Sequence, residues 1–210
     1  MIQDSHRKIE KFWDRSADSY DKEEQRHEPT YQLILEKLKG YLQPSDIVLD
    51  FGCGTGLLSN KIAKSVEEIH GIDISAKMIS LAKAKADAQH LKNIAYVHAT
   101  IDDASFKTGT YDVILAFHIL HLVDDTSATL QRIKELLKPG GLLISATPCM
   151  ANKPVFSGVL SILSKVGIVP KIQSFQRQEL EHLLTVASFE IIQSEKLTGT
   201  SNQYFMVGRK

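Results

Sequence analysis

The stretch that most constrains what this chain can fold into is Ile47 to Leu58, IVLDFGCGTGLL. A continuous apolar run ends on an acid and passes into three glycines at alternate positions, Gly52, Gly54 and Gly56, before apolar character resumes. The pattern predicts a strand that stops at Asp50 or Phe51, a turn, and a helix restarting near Leu57. Glycine carries no Cβ and tolerates positive φ, so such a turn lets backbone approach whatever lies above the sheet. A ligand site is one reading of the turn, and a tight structural turn is the other. A dinucleotide fold needs GxGxxG, whose third glycine lets the helix pack closely; here Leu57 stands in its place. The GK[ST] ending of a triphosphate-binding loop is missing too.

Around this turn the chain alternates short apolar runs with helical windows. Strands are expected at Ile47–Phe51, Ile69–Ile74, Ile94–His98, Tyr111–Phe117 and, after the turn Lys138-Pro139-Gly140-Gly141, Leu142–Ala146. Helices are expected at Leu57–Ser65, from an N-cap at Ser75 through His90, and at Asp125–Leu137. Runs such as VILAF and LLIS suit strands buried on both faces, and repeated strand-helix units imply a doubly wound, mostly parallel sheet. Farther on, Ser174 reads as the N-cap of a helix over Gln176–Ala187. Two last strands, Glu190–Leu197 and Gln203–Gly208, are joined by the hairpin-like loop Thr198–Asn202, which predicts an antiparallel end to a seven-stranded sheet. Before the core, Ile9, Phe12 and Trp13, then Tyr31, Ile34, Leu35 and Leu38, recur at helical spacing. They predict a cap of two helices joined by Ser19–Glu28, with Gly40 ending the second.

A length of 210 residues suits one domain with an appendage. The expected division is a helical cap over 1–43, a core over 44–147, an insertion over 148–173 and a helix with a strand pair over 174–210. The insertion holds an apolar helix candidate, Val155–Val166, between Pro154 and Gly167, and reads as a lid that closes and excludes water. Its other readings are a helix packed on the sheet or a dimer surface.

Charge speaks to partners. The 25 basic and 25 acidic residues cancel, so no global field favours nucleic acid or an anionic membrane. The N-terminus is charged from its fourth residue and has no signal-peptide core, and no apolar run approaches bilayer length. Cys53 and Cys149 form neither a CxxC pair nor a zinc pattern. The expectation is a cytoplasmic protein, a monomer or homodimer, with reduced thiols and no metal.

In an open parallel sheet, ligands bind beyond the carboxyl ends of the strands. Four such ends carry signals here: the Asp50–Gly56 turn, Asp73 about twenty residues on, where nucleotide-binding folds place an acid for ribose, Ala99–Asp103, and Phe117–His121. Taken in order, VLDFGCGTG, GIDIS, YDVILAFHILHL and LKPGG resemble the class I S-adenosylmethionine-dependent methyltransferases. The similarity is closest to the small-molecule branch that includes ubiquinone- and menaquinone-type enzymes, and it covers roughly Phe12 to Lys210.

The resemblance implies S-adenosylmethionine as cofactor and assigns roles. Backbone at Gly52, Cys53, Gly54 and Gly56 would lie against its amino-acid end. Asp50 would orient the turn or take the ammonium through water, or else act as a structural cap. Asp73 would hold the ribose hydroxyls, and Ile74 and Met78 would flank adenine or simply be core. After the third strand the family's usual acid is replaced by Thr100, leaving Thr100, Asp102, Asp103 or backbone at Ile101 to meet the adenine amino group. Phe117, His118, Leu120 and His121 would border the sulfonium and the acceptor, and Tyr20 would close over the methionine part.

Methyl transfer from a sulfonium is an in-line displacement that depends mainly on alignment. A hydroxyl or carbon acceptor would need a base, for which His118 and His121 are the candidates. A thiol, arsenical or amine would need none. The apolar insertion and balanced charge favour a small, partly hydrophobic acceptor. The alternatives are a non-catalytic binding subunit on this fold, an RNA or protein methyltransferase, and another reaction of the same cofactor.

Overall fold

A computed structural model describes residues 2–24, 28–149, 172–197 and 202–210. Its elements are α1 (Ile2–Glu24), α2 (Glu28–Leu38), β1 (Ile47–Phe51), α3 (Leu57–Ile62, followed by a 3-10 turn at Ala63–Ser65), β2 (Glu68–Asp73) and α4 (Ala76–Ala88). They continue with β3 (Ile94–His98), β4 (Tyr111–Phe117), α5 (Thr126–Leu136), β5 (Leu137–Pro148), α6 (Arg177–Val186), β6 (Glu190–Lys196) and β7 (Gln203–Arg209). The strands form one sheet in the order β3-β2-β1-β4-β5-β7-β6. Among the described strands β7 alone runs against the common direction, antiparallel to both β5 and β6, as the hairpin signal near the C-terminus predicts.

Both faces of the sheet are covered, which explains the continuous apolar strands. On one face Ile114, Ala116 and Leu143 pack with Leu130 and Ile133 of α5 and Leu180 and Leu184 of α6. On the other, Val48, Val113, Leu115 and Ile144 pack with Ile34 and Leu38 of α2 and Leu58 and Ile62 of α3. A smaller cluster joins Ile79, Ala82 and Ala86 of α4 to Tyr96 and Cys53.

Several boundaries differ from the sequence expectation. The stretch from Ser19 to Glu24 belongs to α1 rather than to a connection, and its Asp21 finds partners in Thr55 and Lys85. Strand β5 begins at Leu137, since Tyr111 pairs with Leu137 and Val113 with Leu142, so the Lys138–Gly141 turn bulges out of a continuing strand. The last helix is capped by Gln176, not Ser174: the Gln176 N–H donates to the Glu179 carboxylate at 2.6 Å. The expected insertion helix Val155–Val166, and most of the Thr198–Asn202 loop, lie outside the described residues.

Candidate active site

The strand order reverses between β1 and β4, and the loops after β1, β2, β3 and β4 surround a cavity of about 410 Å³. Its lining includes Tyr20, Gly52, Gly54, Asp73, Ile74, Met78, Thr100, Ile101, Asp102, Phe117 and His118, together with Ile9, Trp13, Leu122, Val123 and Thr129. A second cavity of about 60 Å³ shares Tyr20, Gly52, Phe117 and His118 with the first and adds Asp50, Cys53, Tyr31 and Ile34. Thus thirteen of the seventeen residues to which the sequence points line one cavity or the other; Gly56, Asp103, Leu120 and His121 line neither.

The three glycines of the turn all have positive φ, at 74°, 54° and 74°, and they serve different ends. The nearest atoms to a Cβ on Gly54 would be those of the Tyr20 side chain, at 3.5 Å and beyond, and Gly54 itself lines the cavity. A Cβ on Gly52 would lie 2.9 Å from Ile119 Cγ1, which lets the β1 and β4 loops touch. One on Gly56 would lie 2.9 Å from Tyr96 Cζ and 3.1 Å from Ala82 Cβ. Gly56 therefore supplies the close packing between α3, α4 and β3.

Two acids stand at the floor of this turn. Asp50 is 3% exposed, and Ser59 Oγ donates to it at 2.5 Å. Burial pushes its carboxyl up to about 6, offset by the Ser59 bond and reinforced by the charge of Asp73. Asp73 accepts Ser75 N–H on one oxygen at 2.8 Å and Gly54 N–H on the other at 3.0 Å. Its carboxyl is also raised by burial, which outweighs those two bonds. A carboxylate offers about four acceptor positions, so each oxygen keeps capacity for a ligand hydroxyl.

The loop after β3 is stapled from a direction the sequence did not signal. Arg132 of α5 donates to the carbonyls of Ile101 (3.3 Å), Asp103 (3.5 Å) and Phe106 (2.9 Å). Thr100, Ile101 and Asp102 face the cavity. Asp103 instead turns away to accept the Ser105 N–H at 2.9 Å, a bond that holds its carboxyl below the usual range.

After β4, His118 sits in the left-handed region at φ 55°, an uncommon conformation for a residue with a side chain. Its N–H donates to Ala146 O at 2.9 Å, and its Nε2 lies 3.2 Å from the Gln203 side-chain oxygen. Gln203, on β7, is a contact that sequence spacing could not reveal. His121 is different: it is 9% exposed, its Nδ1 has no hydrogen-bond partner among the described residues, and burial, aided by the charge of His118, pushes its pKa down to about 4. Gln173 anchors this loop, its N–H donating to His121 O at 2.7 Å and its side chain to Val123 O at 2.5 Å. Among the described residues no cluster of potential metal ligands occurs, and no helix is long and apolar enough to cross a membrane.

Comparison with known proteins adds a family to this geometry. A family model described as a methyltransferase domain matches residues 42–198. The chain is 27% identical to an uncharacterized methyltransferase of Anoxybacillus flavithermus, over 83% of the chain and 86% of that protein. It is 33% identical to the ubiquinone biosynthesis O-methyltransferase of Colwellia psychrerythraea, over 56% of the chain but only 46% of that enzyme. Among solved structures, a chain in the complex between the Haloferax volcanii Trm112 methyltransferase activator and its methyltransferase superposes with a TM-score of 0.75. That match covers 94% of this chain and 96% of that one at 18% identity, a likeness of fold.

Proposed function

The chain belongs to the methyltransferase-domain family, whose cofactor here is S-adenosylmethionine, and from that premise we propose that it transfers a methyl group to a small, partly hydrophobic acceptor. The observation that carries the reading is the pair of neighbouring cavities, with Tyr20, Gly52, Phe117 and His118 as their shared wall. The residues present fit the cofactor. Asp73 keeps acceptor capacity on both oxygens for a diol, Gly54 leaves the turn open, and Ile74 and Met78 offer apolar faces to a ring.

When bound, the cofactor supplies an electrophilic methyl group on a positively charged sulfur. The protein's own part is chiefly alignment, which can contribute up to about 7–11 kcal/mol of barrier reduction. Asp73 would hold the cofactor at its ribose, and the glycine turn and Asp50 its amino-acid end. Tyr20 and Trp13 add aromatic surface to the cavity wall. For a hydroxyl acceptor, His118 is the group placed to take the proton: it lines both cavities, whereas His121 lies buried behind the loop. The ubiquinone-enzyme likeness also supports an oxygen acceptor, within the part of the chain that aligns.

Two measurements test this. Calorimetry with S-adenosylmethionine and S-adenosylhomocysteine should show binding by the purified protein. A labelled-methyl assay across small phenols, amines and thiols should find transfer to the phenols. Transfer to tRNA or rRNA with none to the small acceptors would refute the acceptor class.

A further inference from the structure

Two hydroxyls on the turns that face the cavity are buried: Thr55 in the glycine turn is 1% exposed, and Ser75 at the start of α4 is 0% exposed. Both find their acceptors on the N-terminal helix. Thr55 Oγ donates to Asp21 Oδ1 at 2.5 Å, and Ser75 Oγ donates to Asp14 Oδ1 at 2.6 Å. The same Asp14 oxygen accepts Lys77 N–H at 3.1 Å, so an acid of α1 caps α4 from outside. Asp14 and Asp21 are seven residues apart, about two helical turns, and so share one face of α1. Along that face Lys77 also pairs with Asp18 at 2.5 Å and Lys85 with Asp21. Those pairs are partly exposed and contribute little by themselves. Bonds from buried hydroxyls to carboxylates are the stronger kind.

The bonded turns are the ones that aim Asp73. Ser75, held by Asp14, donates its N–H to one Asp73 oxygen, and Gly54, next to the Thr55 held by Asp21, donates to the other. From an adjoining face of the same helix, Ile9, Trp13 and Tyr20 reach the cavity. We propose that Asp14 and Asp21 are positioning residues for the cofactor: they key α1 to both cofactor-facing turns, so that closure of Trp13 and Tyr20 over the cavity and orientation of Asp73 become one event. This rests on the reading of the cavity as an S-adenosylmethionine site.

The test uses the full chain and S-adenosylhomocysteine. Affinity is measured by calorimetry, unliganded stability by thermal melting, and cap position by iodide quenching of Trp13, the single tryptophan. Asp14→Ala and Asp21→Ala should each weaken binding about tenfold, the scale of a charged hydrogen bond, and leave Trp13 more open to quencher with ligand present. Asp14→Asn, which keeps an acceptor oxygen, should recover part of the loss. Thr55→Val added to Asp21→Ala should cost nothing further, while Thr55→Ser alone should bind like the native chain. Native affinity in both alanine variants overturns the proposal. So does a loss that merely tracks a lowered melting temperature, with Trp13 shielding unchanged. A native chain that binds neither ligand overturns the cofactor reading, and the proposal with it, a result distinct from native-like variants.

Discussion

The turns that follow β1 and β4 face each other across the cavity, yet they are held in different ways. After β1, the N–H groups of Gly52 and Cys53 both donate to Ile72 O, and Gly54 donates to Asp73, so the adjacent strand and its extension close the turn. After β4, the adjacent strand again takes part, with Ala146 O accepting the His118 N–H, but the rest depends on more distant segments: Gln203 for the His118 ring, and Gln173 for His121 and Val123. The first turn is a local device that any acceptor could share. The second is tied to β7 and to the segment before α6, away from the first. The two meet where Gly52 admits the side chain of Ile119.

The comparison breaks most completely at Gly54. Replacing it with Val should abolish cofactor binding in calorimetry while far-UV circular dichroism stays native, because the branched side chain enters space that the turn leaves to the cavity. Gly54→Ala sharpens the point. The atoms nearest its Cβ are those of Tyr20, at an ordinary 3.5 Å and beyond, so the cost is that of a non-glycine residue at φ 54°, roughly 1–2 kcal/mol. Binding should then be weakened but measurable.

On the β4 side the largest effect falls on chemistry. His118→Ala should lower kcat toward a phenolic acceptor by about 10²–10⁴-fold, the range of general acid–base catalysis, with a much smaller change in cofactor affinity. A variant that loses cofactor affinity and keeps its kcat would remove His118 from the base role. Next comes the pH dependence of the β1 side. With its carboxyl raised to about 6, Asp50 is a charged partner for an ammonium only above that pH. Affinity for S-adenosylmethionine should therefore fall as pH drops below about 6, approaching tenfold per pH unit. Asp50→Asn should bind more weakly at neutral pH and lose the step. The sign is opposite for stability of the empty protein: what the raised pKa contributes is fully present below 3.8 and lost as pH rises through about 6.

This contrast also governs what could be read in the sequence. The order of strands and helices, the glycine turn, Asp73 and the antiparallel end were legible because each rests on period, turn chemistry or spacing within a few residues. In helix α1 the sequence points to Tyr20 as a site residue, through the resemblance, but not to the helix's acids. Asp14, Asp18 and Asp21 look like a solvated charged face until Ser75, Lys77, Thr55 and Lys85 are brought against them. Arg132 and Gln173 were invisible for a related reason, since both act through backbone carbonyls, which carry no residue-type signal. Gly56 was assigned to the ligand with its two neighbours because spacing cannot distinguish a glycine that faces a cavity from one that faces a tyrosine.

His121 yields the smallest effect on turnover and separates the two histidines that one motif placed together. Its pKa is pushed down to about 4 by burial, against an ordinary 6.5, so folding excludes the protonated ring. The neutral ring's contribution to stability is present above pH 6.5 and is lost as pH falls through 4. That contribution is on the order of 3 kcal/mol at most for a shift of this size. Replacing His121 with Gln, which cannot titrate, should flatten the fall in melting temperature between pH 6.5 and 4, at some cost to stability at neutral pH. His118→Gln, which removes only the smaller contribution of the His118 charge and leaves the burial, should soften that acid limb far less. If instead the His118 variant flattens the limb and the His121 variant does not, the buried and cavity-facing roles of the two rings are exchanged.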